Sequence, residues 1–319
     1  MSKVLVTGGA GYIGAHVAHE LVKAGYTVKI YDDFSNGLHR RLDGLKAELV
    51  DGDILDREKL IDALKGVDAV IHLAAKKAVG ESVTNPLKYY ENNVGGTLNL
   101  LAGMALHGIK HLVFSSSAAV YSPSEKDAIG EDDPKVPLSP YGATKLLSEQ
   151  LIEKVSAAEG ISAISLRYFN VVGSGSDNLG DNARDNLVPK VFLALKTGGT
   201  PEIFGTDYPT PDGTCIRDYI HVQDLAEAHI RALKKVESAN TIAAYNVGSG
   251  IGYSVKEIFA EMERATGRKI EPRLSPRRAG DPPKLIASTK KIEIELGWKP
   301  SKNLAEMISS AWRAEQVAK

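Results

Sequence analysis

The chain has 319 residues, a quarter of them charged, with 39 lysines and arginines against 40 aspartates and glutamates and a formal net charge of -1. Such a length permits two domains and a sizeable core. The even charge balance provides no global field to attract nucleic acid or an anionic membrane, so any anion site has to be assembled locally.

Short apolar runs at 4–6, 28–31, 48–50, 69–73 and 112–114 read as strands alternating with helical patterns. Between the first two, Ile13, Val17, Leu21 and Val22 recur at helical spacing and Gly25 supplies a stop. This alternation predicts a parallel sheet with crossover helices. Longer helices follow from Pro86 to Gly108 and from about Ser139 to Glu159, and 164–166 reads as a sixth strand. Beyond Asn170 the regularity fails. Glycine, serine and aspartate cluster at 173–185, and prolines punctuate 201–211 and 272–283. The fold class predicted is α/β: a Rossmann-type doubly wound parallel sheet at 1–169 with a returning segment near 214–240, and a smaller, mainly substrate-binding domain at 170–319.

The opening lacks the pattern of a signal peptide, no apolar run has bilayer-spanning length, and the lone Cys215 excludes an internal disulfide. A soluble cytoplasmic protein is expected.

In Thr7-Gly8-Gly9-Ala10-Gly11-Tyr12-Ile13-Gly14 the glycines stand directly after a strand and at the mouth of a helix. Gly8 would permit a tight turn, Gly11 the approach of backbone to a pyrophosphate, and Gly14 close packing of helix on strand, with the anion at the positive helix end. An acid follows the second strand, as a ribose ligand should. Asp32 would accept both hydroxyls and repel a 2'-phosphate, which favours NAD over NADP; Asp33 is the one-residue alternative. Asp53 and Ile54, after the third strand, would flank the adenine.

Tyr141 and Lys145 lie one helical turn apart in Ser139-Pro140-Tyr141-Gly142-Ala143-Thr144-Lys145. A free phenol titrates near pH ~10 and is a poor base, whereas an ammonium on the same helix face favours its ionised form. Taken alone the pair is ordinary helix chemistry; beside a dinucleotide loop it reads as a tyrosine base.

The glycine loop, Ser115-Ser116-Ser117 and Tyr141/Lys145, in that order, resemble the extended short-chain dehydrogenase/reductase family. Further blocks are similar to the UDP-glucose 4-epimerases within it: Lys77-Ala78-Val79-Gly80-Glu81-Ser82-Val83, Tyr89-Tyr90-Glu91-Asn92-Asn93, Arg167-Tyr168-Phe169-Asn170, Arg217-Asp218-Tyr219-Ile220-His221-Val222, Arg277-Arg278-Ala279-Gly280-Asp281 and Leu296-Gly297-Trp298-Lys299-Pro300. The resemblance implies contacts to NAD from Gly8, Gly11, Tyr12, Ile13, Gly14, Asp32, Asp33, Phe34, Ser35, Asn36, Gly37, Asp53, Ile54, Leu73, Ala74, Ala75, Lys77, Asn92, Ser115, Tyr141, Lys145 and Tyr168. It implies contacts to a UDP-sugar from Lys77, Ser117, Tyr141, Phe169, Asn170, Asn186, Leu187, Glu202, Ile203, Phe204, Arg217, the segment 278–281 with Arg278 and Asp281, and Leu285.

The implied reaction interconverts UDP-galactose and UDP-glucose through a 4-keto sugar, with NAD held throughout. Tyr141 would move the 4-hydroxyl proton, Ser117 would bond the same oxygen, Lys145 would lower the tyrosine pKa, and Arg217 and Arg278 would anchor the diphosphate. A homodimer pairing the helices around 89–105 and 139–157 is also implied.

Some positions depart from the family pattern. Ala119 and Ser122 stand where many members carry threonine and glycine, Val171 replaces a frequent proline, and Cys215 precedes Ile216-Arg217. Leu285 stands where a tyrosine is associated with exclusion of N-acetylhexosamines; it is smaller than tyrosine and larger than cysteine or glycine, which leaves those substrates open, and epimerases of UDP-pentoses and UDP-uronates share nearly all the same motifs. A 4,6-dehydratase ranks low, because Ala119 and Val120 stand where dehydratases carry Asp-Glu. A silent NAD sensor is disfavoured by the intact Ser117, Tyr141 and Lys145. His16 and His19 lie three apart, but no third ligand stands at a recognisable spacing, and no metal is expected.

Overall fold

The computed structural model describes residues 2–124, 126–278 and 281–317. Strand β1 (Lys3–Thr7) leads through α1 (Tyr12–Lys23), β2 (Thr27–Asp32), β3 (Ala47–Asp51), α2 (Arg57–Ala63), β4 (Ala69–His72) and α3 (Val79–Thr84) to α4 (Pro86–Tyr89), a π-helical segment Tyr90–Gly95 and α5 (Gly96–His107). Next come β5 (His111–Ser117), α6 (Pro140–Glu159), β6 (Ser162–Tyr168), β7 (Asn170–Val172), α7 (Leu187–Thr197), β8 (Glu202–Phe204) and β9 (Ile216–His221). The chain closes with α8 (Val222–Ser238), β10 (Ile242–Val247), β11 (Gly252–Ser254), α9 (Val255–Thr266), β12 (Arg273–Ser275), β13 (Lys284–Leu285), α10 (Lys290–Leu296) and α11 (Leu304–Val317).

Seven strands form one sheet in the order β3-β2-β1-β4-β5-β6-β10, every pairing parallel. Alternate residues supply two separate cores. Val4, Val6, Ile71, Val113, Ile164 and Leu166 pack with Val17 and Leu21 of α1 and Leu225 and Leu233 of α8. Leu5, Val70, Leu112 and Phe114 pack on the other face with Leu60 of α2, Leu100 of α5 and Ile152 of α6. Covered on both faces, the strands are short continuous apolar runs, which is why they could be read from sequence. The order reverses between β1 and β4, and a crevice opens there at the strands' carboxyl ends.

Two elements depart from the sequence reading. The seventh strand, β10, lies past residue 240; its Ala243, Ala244 and Asn246 make a weak apolar run, and only pairing with β6 defines it. The helix after Pro86 is not continuous α: its π segment carries Asn92 and Asn93, which are 8% and 3% exposed. The remaining small sheets set β7, β11 and β13 around β9 and pair β8 with β12. Phe192, Ile258, Met262, Ile308 and Trp312 form the core beneath them.

The β1–α1 turn sets the crevice floor. Gly8 sits at φ +69°, and a Cβ there would lie 2.7 Å from the Ala74 nitrogen; a Cβ on Gly14 would fall 2.0 Å from the Gly8 carbonyl oxygen. Both clashes are with backbone, which cannot rotate away. Gly14→Ala should therefore destabilise the fold by about 1–3 kcal/mol through forced backbone displacement, measured by urea denaturation; an unchanged midpoint would refute this account of the turn.

Candidate active site

Gly11 caps α1 without any side-chain cap, and the first helical turn carries no acid. The positive helix end is thus open toward the crevice, and the glycines leave room for an anion, so the residues present fit a dinucleotide pyrophosphate. Asp32 closes the side of this cradle. It is 6% exposed, and its carboxylate accepts from the Ala10 amide (2.8 Å) and the Phe34 amide (2.9 Å). Burial raises its pKa, and these two donors oppose the rise. Asp33 faces solvent and holds the Ser35 amide and hydroxyl instead, so Asp32 is the acid built into the crevice wall.

Phe34, at φ +52°, turns the chain and stacks on His39; Asn36 follows, and Gly37 lies where a Cβ would meet the Asp32 carboxylate at 2.6 Å. Across the crevice, the Leu73 and Ala74 amides donate to the Thr7 hydroxyl, and Ala75 continues the same loop. Lys76 donates to the Ser35 hydroxyl at 3.1 Å, while Lys77 is exposed and hydrogen-bonds no described residue. Asp53 is exposed, and Ile54 is buried against Gly96.

Tyr12 opens α1 directly after Gly11. Its ring is turned to the second lobe, where the hydroxyl donates to the Gly173 carbonyl at 2.6 Å. At Tyr12 and Ile13 the helix start presents backbone to the crevice, as unpaired N–H groups of a first turn do.

The reactive groups meet where β5 ends against α6. Helix α6 begins where the sequence places it: the Ser139 hydroxyl accepts from the Gly142 amide and Pro140 occupies the first turn. Gly142 is required for close approach, since a Cβ would lie 2.2 Å from the Ala119 carbonyl oxygen. This contact presses Tyr141 onto Ser117, with which it hydrogen-bonds. Burial raises the phenol's pKa, and the Ser117 bond lowers it. Lys145 is 3% exposed and donates to the Ser115 carbonyl at 2.7 Å; burial pulls its ammonium down to about 7, opposed by Glu149. The Lys145 ammonium is turned to Ser115, and Ser117 is the group that bonds the Tyr141 phenol directly. Tyr168, buried beside this group, hydrogen-bonds Ser115 and His229.

The second lobe assembles the expected sugar-nucleotide residues in two groups. Arg217 on β9 donates to Asp281 at 3.2 Å and is the register partner of Leu285 on β13. Arg278 lies over the Phe204 ring, 4.0 Å from its centroid, with Ile203 buried beside it on β8; Ala279 and Gly280 lie outside the described residues. The Glu202 carboxylate accepts from Arg273 and from the Ser275 hydroxyl. Asn186 caps α7 ahead of Leu187 and donates to Asp181 at 2.9 Å. Phe169 is buried with Val120, Tyr121, Ala287 and Leu285, which joins the two lobes behind Ser117, and Asn170 hydrogen-bonds Tyr219.

His16 is committed to the Tyr12 carbonyl and the Gly175 amide, and His19 to the Arg41 carbonyl. Among the described residues no cluster of three or more histidine, cysteine, aspartate or glutamate side chains could hold a metal, and no helix is long and apolar enough to cross a membrane.

Sequence reasoning missed several residues that build the site. Asn93 accepts from the Lys76 amide and donates to the Lys76 carbonyl and the Thr144 hydroxyl; its only signal was a second asparagine in a helix. Fully buried Arg41 donates to the Gly180 carbonyl (2.6 Å) and Asn182 (2.9 Å), a partnership with no local signature. Asp218 is 1% exposed and accepts from the Ser249 amide and hydroxyl and the Gly250 and Ala287 amides, which fixes Arg217 beside it.

Fold and site together define a dinucleotide-dependent enzyme, and known proteins narrow the class. The pattern of the NAD dependent epimerase/dehydratase family matches residues 4–248, and the chain belongs to that family. It is 44% identical over 318 residues to a UDP-glucose 4-epimerase of Lactobacillus helveticus, covering 98% of this chain and 96% of the relative. It superposes with TM-score 0.95 and 38% identity on a UDP-glucose-4-epimerase from Stenotrophomonas maltophila with bound NAD and formylated UDP-arabinopyranose, covering 99% of this chain and 98% of that one. A Bifidobacterium longum UDP-glucose 4-epimerase in complex with NAD+ and UDP gives TM-score 0.93 and 38% identity at the same coverage.

Burial pushes the Asp218 carboxyl up to about 6, against its four donors. Asp218→Asn turns an amide toward two N–H donors and should destabilise by about 3 kcal/mol. Because the folded pKa is raised, the parent's contribution from this group is present below the unfolded value and lost as pH rises through about 6. The stability gap should therefore widen by about 2 kcal/mol between neutral pH and pH ~4.5, read by urea denaturation at both pH values; a gap independent of pH would contradict the assignment.

Proposed function

We propose that the chain is a soluble, cytoplasmic NAD-dependent 4-epimerase that interconverts UDP-galactose and UDP-glucose. The observation that carries this reading is the meeting of Ser117, Tyr141 and Lys145 at the end of β5, beside a glycine turn and Asp32. The open start of α1 would hold the pyrophosphate and Asp32 the adenosine ribose. NAD bound there would supply the redox chemistry, a hydride acceptor for the sugar C4 and its donor back to the opposite face.

The protein's part is proton transfer and restraint. Tyr141 Oη takes the proton of the sugar 4-hydroxyl and gives it back, and Ser117 bonds the same oxygen as its charge shifts. Lys145 supplies positive charge in a dry site where few other charges compete. Inversion requires the 4-keto hexose to turn over, so the grip belongs on the diphosphate. Arg217 and Arg278 are suited to it, being forked cations held apart from the reacting end. Leu285, paired with Arg217, is intermediate in bulk between tyrosine and cysteine or glycine, and a related UDP-sugar, N-acetylhexosamine, pentose or uronate, is the alternative substrate.

Incubation of the NAD-loaded protein with UDP-galactose should yield UDP-glucose, and a folded sample without interconversion would sink this reading. Tyr141→Phe should lower kcat by about 10²–10⁴-fold with NAD retained; near-parental turnover would remove Tyr141 as the base.

The proposal extends to a homodimer through α4–α5 and α6, supported by apolar side chains left in water there: Leu87 is 80% exposed, Leu98 52% and Leu147 41%. Light scattering at assay concentration should report twice the chain mass; a monomer would refute the dimer.

A further inference from the structure

Glu149 lies on α6 one turn beyond Lys145 and two beyond Tyr141, with its side chain 10% exposed. Its Oε1 accepts from the Ser116 hydroxyl and from Arg167 Nε at 2.9 Å, and its Oε2 from Arg167 Nη2 at 2.7 Å. Arg167 and Ser116 are register partners across β6 and β5. One carboxylate therefore ties three elements together at the level where Ser115 receives Lys145 and Ser117 meets Tyr141. Beyond Glu149 the network is itself braced. Arg167 Nη1 donates to the Tyr121 hydroxyl (2.7 Å) and the Glu131 carbonyl (3.0 Å), and Tyr121 donates to Asn246 (2.7 Å).

We propose that Glu149 is a positioning residue for the epimerisation: by holding Ser116 and Arg167 it sets the end of β5 against α6, so that Ser117 and the Ser115 carbonyl stand at the right reach of Tyr141 and Lys145. A buried ion pair of this kind adds little net stability for its desolvation, so retaining geometry is the better account of its place behind the reacting groups. Its charge has a second effect. Around Lys145, β4 contributes His72, held neutral by burial and the lysine; β5 contributes Phe114 and the Ser115 carbonyl; β6 contributes Tyr168, whose phenol burial keeps protonated. On α6, Tyr141 lies one turn away, its phenol pKa raised by burial and lowered by Ser117, and Glu149 is the anion that favours the ammonium.

The inference rests on the epimerase reading, which the parent enzyme tests alone: an inactive parent defeats that reading, whereas an active parent with unaffected variants defeats this inference. Glu149→Gln in the NAD-loaded enzyme should lower kcat by about 10- to 100-fold through misplacement, with KM for UDP-galactose within about twofold and bound NAD content unchanged. The alkaline limb of its kcat–pH profile should move to lower pH by about one unit, since Lys145 then loses its proton more readily. A role confined to stability would lower the melting temperature and leave the profile in place. Ser116→Ala keeps the ion pair and decides the matter if Glu149→Gln does not fold: kcat should fall about severalfold at unchanged KM. Parental kcat and pH profile in either folded variant would overturn the proposal.

Discussion

The turn between β1 and α1 closes only because positions 8 and 14 carry no side chain, and the rest of the active site is referenced to it. Gly8 rests on Ala74 where the strand order reverses. From Thr7, just before it, a buried polar chain runs to α6. The Thr7 hydroxyl meets His72 at 2.7 Å, His72 meets Thr97 at 3.2 Å, and Thr97 donates to the Asn93 carbonyl at 2.7 Å. Asn93 in turn donates to Thr144, the neighbour of Lys145. Burial drags His72 down to about 3, so it stays neutral and can serve both threonines without bringing a charge into the core. A π-helical turn is what allows Asn92 and Asn93 both to face inward at this point.

Work is divided between a rigid sheet and a set of small ones. Ser117, Tyr141 and Lys145 sit on β5 and α6, whose Leu112, Phe114 and Ile152 share one buried core. In a chain whose charges nearly cancel, Arg217 and Arg278 set positive charge locally on β9 and the loop before β13. The lobes are latched behind the crevice by Tyr12 to Gly173, His16 to Gly175 and Arg41 to Gly180, all between α1 or its flank and the 173–182 loop. The glycine turn and the second lobe consequently share one frame.

Much of the first lobe was legible because parallel strands buried on both faces are short apolar runs, and because α6 announces itself with Ser139, Pro140 and a stop at Gly160. Asp32 was readable as the acid ending a second strand. The direction of the Tyr12 ring was not, since a residue's number in a motif says nothing of which neighbour takes its hydroxyl. Helical spacing placed Lys145 on the face of Tyr141 but could not foresee that the Ser115 carbonyl would claim its ammonium. Asp218, Arg41 and β10 were likewise silent: each is defined by partners dozens of residues away.

Local chemistry, which the order of residues carries by itself, determined the glycine turn, the acid after β2 and the Tyr141–Lys145 spacing, because backbone preference and i to i+4 geometry act over a few residues; the class of enzyme was carried by the resemblance of longer motif blocks. Only the tertiary structure decided which groups became partners: Glu149 with Ser116 and Arg167, Asp218 with the 249–250 loop, Leu285 beside Arg217. Those choices depend on the register of strands and the closure of long loops, and they are fixed by the burial of whole faces against one another and not by any short stretch of chain.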